Sequence, residues 1–107
     1  MTAVTDETQG VQDLAAQAVE VARLLKLLAN DKRLLILCKL VEQPEMHVSA
    51  LVEAVGISQS AMSQHLARLR DDGLVRFRRE AQTLYYRCAD ARTAQLLLYL
   101  RELYCSP

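Results

Sequence analysis

The sequence has no tryptophan, one phenylalanine, three glycines and two prolines among its 107 residues, and its longest apolar runs, Leu34–Cys38 and Leu96–Leu100, are five residues each. Runs that short exclude a membrane-spanning helix, which needs about 20. The scarcity of glycine and proline excludes a collagen-like or low-complexity chain. Three cysteines are too few for a disulfide-built scaffold, and the odd number leaves at least one thiol over. The first ten residues hold no basic residue and no apolar stretch, so no secretory signal is expected and a cytoplasmic location is predicted. What is present, 51% apolar and 24% charged residues in a short chain, fits one globular domain. The expected division is a flexible N-terminus over 1–10 and one folded domain over 11–107.

An excess of one charge is also missing, because the formal net charge is zero. The distribution is nonetheless uneven. Residues 1–57 hold five basic and eight acidic groups, whereas residues 58–87 hold six basic and three acidic ones. All six of those cations are arginines (68, 70, 76, 78, 79 and 87), whose planar fork suits phosphates and base edges.

Apolar residues recur with helical period from Val11 to Leu28, predicting helix one. Asn30 is a suitable N-cap for a second helix, Asp31 to Glu42, closed by Pro44. Ser49 can cap a third helix running to Val55 and ended by Gly56. Ser58 can cap a fourth from Gln59 to Asp72, ended by Gly73. The period then changes to two: Val75 and Phe77 alternate with Arg76 and Arg78, and Leu84, Tyr86 and Cys88 alternate with Tyr85 and Arg87, predicting a two-stranded hairpin. Asp90 can cap a last helix to Tyr104 that is apolar nearly all round. Such a helix needs cover on two sides, so a homodimer with helix one as the partner element is expected. The order α1-α2-α3-α4-β-β-α5 is mainly helical with a β-hairpin wing, a winged helix-turn-helix.

Plotted at 100° per residue, the fourth helix turns Met62, Leu66 and Leu69 inward and Ser60, Gln64 and Ala67 outward, with Ser63 and Arg68 flanking. Small polar residues let a helix seat in the major groove, where Gln can pair with adenine edges and Ser with either base. Phosphate contacts are expected from the helix N-terminus and from Arg76, Arg78 and Arg79 on the wing. His65 falls on the inner flank, a place for packing rather than base reading. Double-stranded DNA is the partner this arrangement points to.

The segments Leu27-Leu28-Ala29-Asn30-Asp31-Lys32-Arg33-Leu34, Ser58 to Leu66, Leu69-Arg70-Asp71-Asp72-Gly73-Leu74-Val75 and Tyr85-Tyr86 together resemble the ArsR/SmtB family of bacterial winged-helix repressors. The resemblance covers roughly residues 20–105. It implies a homodimer built on the first and last helices that binds a palindromic operator. By position it assigns Gln59, Ser60, Ser63 and Gln64 to groove contacts.

The effector is less directly written. Family members that sense metals use a Cys-x-Cys-type motif before the recognition helix or His and acidic ligands on the last helix. Here the first region reads His47-Val48-Ser49-Ala50-Leu51, without a thiol, and the last helix has no histidine. The donors a tetrahedral site needs are missing, so no metal and no cofactor are expected, and His47 is read as a surface or turn residue. Cys88 shares the inward parity of Leu84 and Tyr86 and is expected in the core. Cys38 shares a face with Leu34 and Val41, and Cys105 lies near the C-terminus where it packs little. The residues alone leave a Cys38–Cys105 dithiol and a pair of unrelated thiols both open.

The segments Leu35 to Glu42 and Leu103-Tyr104-Cys105 also resemble the sulfide- and redox-responsive branch of that family. There a thiol on the second helix and one on the last form the sensing pair. Carried over, these are Cys38 and Cys105, with small oxidants or persulfides as effectors that release the operator. Neither thiol lies at a helix N-terminus, and Cys105 lies at a C-terminus, where the dipole opposes thiolate; Arg101, one turn earlier, is a candidate activator. The rival readings are a metal or metalloid sensor with an atypical ligand set, a thiol–disulfide enzyme, which lacks Cys-x-x-Cys, and a dimeric module without DNA.

Overall fold

In a computed structural model, residues 10–105 are described, and the chain divides into two compact units at Asn30–Asp31. The first unit is helical over residues 10–16 and again over α1 (Ala18–Leu28). The single helix expected over 11–28 is broken at Gln17, whose φ of −104° and ψ of 14° leave the helical region. Its N–H donates to Leu14 O at 2.9 Å, an i−3 bond in place of the i−4 bond, and the helix resumes with Val21 N–H on Gln17 O at 3.0 Å. The local sequence, Ala15-Ala16-Gln17-Ala18, contains no helix breaker, so propensity does not account for the break. Val11, Leu14, Val19 and Leu25 are exposed in this unit. The flexible N-terminus expected over 1–10 lies, apart from Gly10, outside the described residues.

The second unit runs α2 (Asp31–Glu42), β1 (Met46–His47), α3 (Val48–Val55), α4 (Gln59–Asp71), β2 (Val75–Glu80), β3 (Thr83–Cys88) and α5 (Ala91–Cys105). Its core is built from the inward stripes of α2, α3 and α4: Ile36, Leu37, Leu51, Met62, Leu66 and Leu69 are fully buried, together with Val75 at the start of the wing. Full burial of one such side chain is worth about 1.5–3 kcal/mol. The helix boundaries follow from caps. α3 starts two residues earlier than expected because its N-cap is His47, not Ser49: the imidazole Nδ1 accepts the Ala50 N–H at 3.1 Å. Gly56, at φ 78°, ends α3. Ser58 Oγ accepts the Ala61 N–H at 3.0 Å and starts α4, giving the short turn between the two helices.

α4 ends in a Schellman motif: Leu74 N–H donates to Leu69 O and Gly73 N–H to Arg70 O, both at 2.9 Å, with Gly73 at φ 78°. That stop turns the chain into the hairpin, paired from Val75↔Cys88 to Glu80↔Thr83. The turn places Ala81 at φ 56°, a left-handed backbone that a residue with a Cβ adopts at a cost. The expected two-stranded hairpin is part of a three-stranded antiparallel sheet, because Met46 and His47 pair with Tyr86 and Tyr85 to give the order β1-β3-β2. A two-residue strand has too few positions to show a period. α5 starts at Asp90, whose Oδ2 accepts both the Thr93 N–H at 3.2 Å and the Thr93 hydroxyl at 2.6 Å, so the buried Thr93 is satisfied. Leu97 is buried, while Leu98, Tyr99, Leu103 and Tyr104 are exposed on the isolated chain. Among the described residues no helix is long and apolar enough to cross a membrane.

Candidate nucleic-acid interface and thiol groove

α4 presents one face to the core and the other to solvent. Met62, Leu66 and Leu69 are buried, whereas Ser60, Ser63, Gln64 and Arg68 are exposed, in line with the helical plot, and Gln59, which the plot did not place, is exposed as well. His65 is half-buried. Arg68 reaches Asp72 only at 3.8 Å across one exposed turn, so its guanidinium is lightly held. The N-terminus of α4 carries Gln59 and Ser60, and a helix N-terminus, here capped at Ala61 N–H by Ser58, is a suitable approach for a phosphate.

The alternation of the hairpin sorts the wing into two faces. Phe77 and Tyr86 lie on the inner one, their rings 5.4 Å apart, with the Arg70 guanidinium 5.3 Å from the Phe77 centroid. The outer face carries Arg76, Arg78, Tyr85 and Arg87. Arg76 on the outer face and Arg79, which by the same alternation falls on the Phe77 face nearer the hairpin tip, have no ion-pair partner among the described residues and are exposed, so both are open to an anion. Arg87 stands opposite Arg76 in the register and adds a third cation that the sequence reading left out of the site. The signal for it was there: a period-two strand paired to β2 puts Arg87 on the arginine face.

Arg78 is placed differently. Its Nε donates to both oxygens of Glu45 at 2.8 and 3.1 Å, its Nη2 donates to Glu45 Oε1 at 3.0 Å, and its Nη1 donates to Glu80 at 2.8 Å. The guanidinium also lies 4.6 Å from the Tyr85 ring centroid. The hydrogen bonds from Arg78 hold the Glu45 carboxyl below its ordinary range, and those from Glu45 and Glu80 hold the guanidinium more firmly protonated. Its Nε–H and one N–H of each terminal nitrogen are bonded within the protein, while the side chain stays half exposed.

The thiols occupy a separate region. Cys38 on α2 and Cys105 on α5 line one open groove of about 710 Å³, with walls that include Leu34, Val41, Leu97 and Tyr104. Glu42 and Arg101 are its charged rim. Burial raises the Cys38 thiol above its ordinary value, Glu42 and then Cys105 add to this, and Lys39 opposes it. Cys38 is half-buried and Cys105 exposed. Arg101 reaches the groove but is not among the charges acting on Cys38. Cys88 lies at the end of β3, where its Sγ donates to Asp90 O at 3.6 Å. It is not among the residues lining the groove.

No group of three or more His, Cys, Asp or Glu side chains among the described residues is arranged to hold a metal ion. His47, read from sequence as a surface or turn residue, has a defined structural role, since it caps α3 and sets its ring edge-on to Tyr85 at 6.1 Å.

Comparison with known proteins places this arrangement. The profile described as bacterial regulatory protein, arsR family, matches residues 30–76, which span α2 to the first strand of the wing. The transcriptional activator HlyU of Vibrio cholerae is 42% identical over 95 residues, 89% of this chain and 87% of the relative. The transcriptional repressor BigR of Xylella fastidiosa superposes with a TM-score of 0.84 at 40% identity, over 90% of this chain and 97% of that one. A homodimeric winged helix-turn-helix DNA-binding domain of Mycobacterium bovis superposes with a TM-score of 0.72 at 38% identity, covering 83% of this chain and 82% of that one. These relatives are regulators of transcription and not enzymes. On these matches, with the capped helix pair and the wing that follows it, the chain belongs to the ArsR family of winged helix-turn-helix transcriptional regulators.

Proposed function

We propose that the chain is a cytoplasmic homodimeric repressor that binds a palindromic operator and leaves it when Cys38 and Cys105 are oxidised or persulfidated. The observation that carries the switch is that these two thiols, 67 positions apart in sequence, line the same groove between α2 and α5. The dimer is supported by the exposed apolar residues Leu98, Tyr99, Leu103 and Tyr104 on α5 and by the homodimeric M. bovis relative. Base choice rests with Gln59, Ser60, Ser63 and Gln64, with Arg68 at the edge, and phosphate contact with Arg76, Arg79 and Arg87. A twofold pair of such heads matches half-sites about 34 Å apart.

The chemistry follows from exposure. Cys105 is the accessible thiol, and Cys38 is the shielded one. The Cys105 thiolate takes the sulfane sulfur of an organic persulfide and releases the organic thiol. Cys38 then attacks the Cys105 sulfur, expels hydrosulfide and closes a disulfide. If both thiols have taken a sulfur, the two persulfides condense to a trisulfide and lose hydrogen sulfide. Either bridge ties α2, which supports the helix pair, to α5, which carries the dimer face, and so biases the angle between the reading heads. The test is titration of a palindromic duplex with reduced protein, with protein treated with an organic persulfide, and with protein given zinc or arsenite. Tight binding lost only on persulfide treatment supports the proposal. Release by stoichiometric metal supports the metal-sensor alternative instead.

A further inference from the structure

Three elements meet at one exposed point of the wing. Glu45 stands three residues after the end of α2, Arg78 lies in the middle of β2, and Tyr85 lies opposite it on β3. Arg78 donates three hydrogen bonds to Glu45 and one to Glu80 while lying over the Tyr85 ring. Tyr85 in turn meets the edge of His47, the residue that caps α3. The hairpin is otherwise joined to the helix pair through the short strand β1 and the packing of Val75, Tyr86 and their neighbours. Two carboxylates surround the guanidinium, so the local charge at Arg78 is not positive. A phosphate approaching it would meet the charge of Glu45 and Glu80 along with the two N–H groups that these bonds leave over.

We infer that Arg78 is a positioning residue for DNA binding: with Glu45 and Tyr85 it clamps the wing to the α2–α3 connection, and the phosphates are met by the neighbouring arginines. The inference rests on the reading of the chain as a DNA-binding regulator and reverses the expectation that Arg78 itself touches the backbone. Glu45, an acidic residue beside a DNA-binding surface, then contributes to binding. Removing it should loosen the wing and not relieve a repulsion.

The two roles predict opposite signs. Operator affinity is measured as a function of salt for the full chain and for Arg78→Gln, Glu45→Gln and the double variant. If Arg78 is a clamp, Arg78→Gln and Glu45→Gln each weaken binding by about 2–5-fold, the scale of an exposed ion pair, and the double variant is no weaker than the worse single one. The slope of log affinity against log salt stays that of the parent, because the same phosphates are neutralised. The inference is overturned if Glu45→Gln tightens binding, or if Arg78→Gln lowers the slope by about 0.9 for each phosphate no longer neutralised. Thermal melts establish that each variant is folded. Should Arg78→Gln not fold, the sign of the Glu45→Gln effect decides alone. A parent chain that binds no duplex would overturn the DNA-binding reading itself, whereas binding with the wrong sign overturns only the clamp.

Discussion

Arg76 and Arg87 stand directly opposite each other across the β2–β3 hairpin, two guanidinium groups on one exposed face. Like charges at that separation oppose folding by a few tenths to about 1 kcal/mol. On the Arg87 side the Glu45 carboxylate offsets part of that cost, and a DNA phosphate beside Arg76 would offset more of it. Replacing Arg76 by Gln should leave the protein as stable or slightly more stable in a thermal melt, whereas Arg87→Gln also gives up the attraction of Glu45. Either change should weaken every duplex alike and flatten the salt slope by about 0.9 per phosphate no longer neutralised. Equal slopes in parent and variants would remove the pair from the interface.

The exposed side of α4 should carry sequence choice. Gln64→Ala is expected to cost on the order of 1–3 kcal/mol at one base pair per half-site and to relax discrimination there. Ser58→Ala should act through the cap and not through the bases, lowering stability by about 0.5–2 kcal/mol, with Ser58→Gly losing only a few tenths. Competition binding over single-base operator variants separates the two effects. If Gln64→Ala leaves base preference unchanged, α4 is not the reading element.

His65 gives a stability prediction with a definite sign. Burial, with the charge of Arg33 next, holds its imidazole below the ordinary value of 6.5, and Asp31 opposes the shift. The folded chain therefore takes up this proton less readily than the unfolded one. The stabilising difference is complete above the unfolded value and is lost as the pH falls through it toward the lowered folded value. His65→Gln should flatten the dependence of denaturant stability on pH as the pH falls below the ordinary value of 6.5. An unchanged slope would assign the acid sensitivity to other groups.

Ala81 is a site where the chain is strained. At φ 56° its Cβ is disfavoured by about 1–2 kcal/mol, and glycine removes that cost while adding chain entropy to the unfolded state. Ala81→Gly should therefore raise stability by about 0.5–1 kcal/mol, a shift of about 2–8 °C in melting temperature. A lower melting temperature would show that the turn is not held as described.

Much of this was legible in the residues because the relevant signals are local. Ser58, Gly56 and Gly73 sit where a cap and two left-handed stops are needed, and the change of period after Gly73 marks the wing. The inward set Met62, Leu66 and Leu69 follows from the helical repeat alone. What escaped depends on partners distant in sequence. Nothing near Arg78 announces Glu45, 33 positions away, as its ligand. β1 is too short to have a pattern, and His47, which caps α3 in place of Ser49, is also the residue that pairs with Tyr85. The break at Gln17 has no local cause. The thiol groove required the fold, since residues of two helices at opposite ends of the second unit's sequence form it.

The central claim is that Cys38 and Cys105 act as one switch while Cys88 does not. Operator binding of the parent and of Cys38→Ser, Cys105→Ser and Cys88→Ser, each measured reduced and after treatment with an organic persulfide, tests it most directly. The account predicts that the parent and Cys88→Ser release DNA on treatment and regain it with reductant, while Cys38→Ser and Cys105→Ser stay bound throughout. Release of DNA by either Cys38→Ser or Cys105→Ser under persulfide would contradict it.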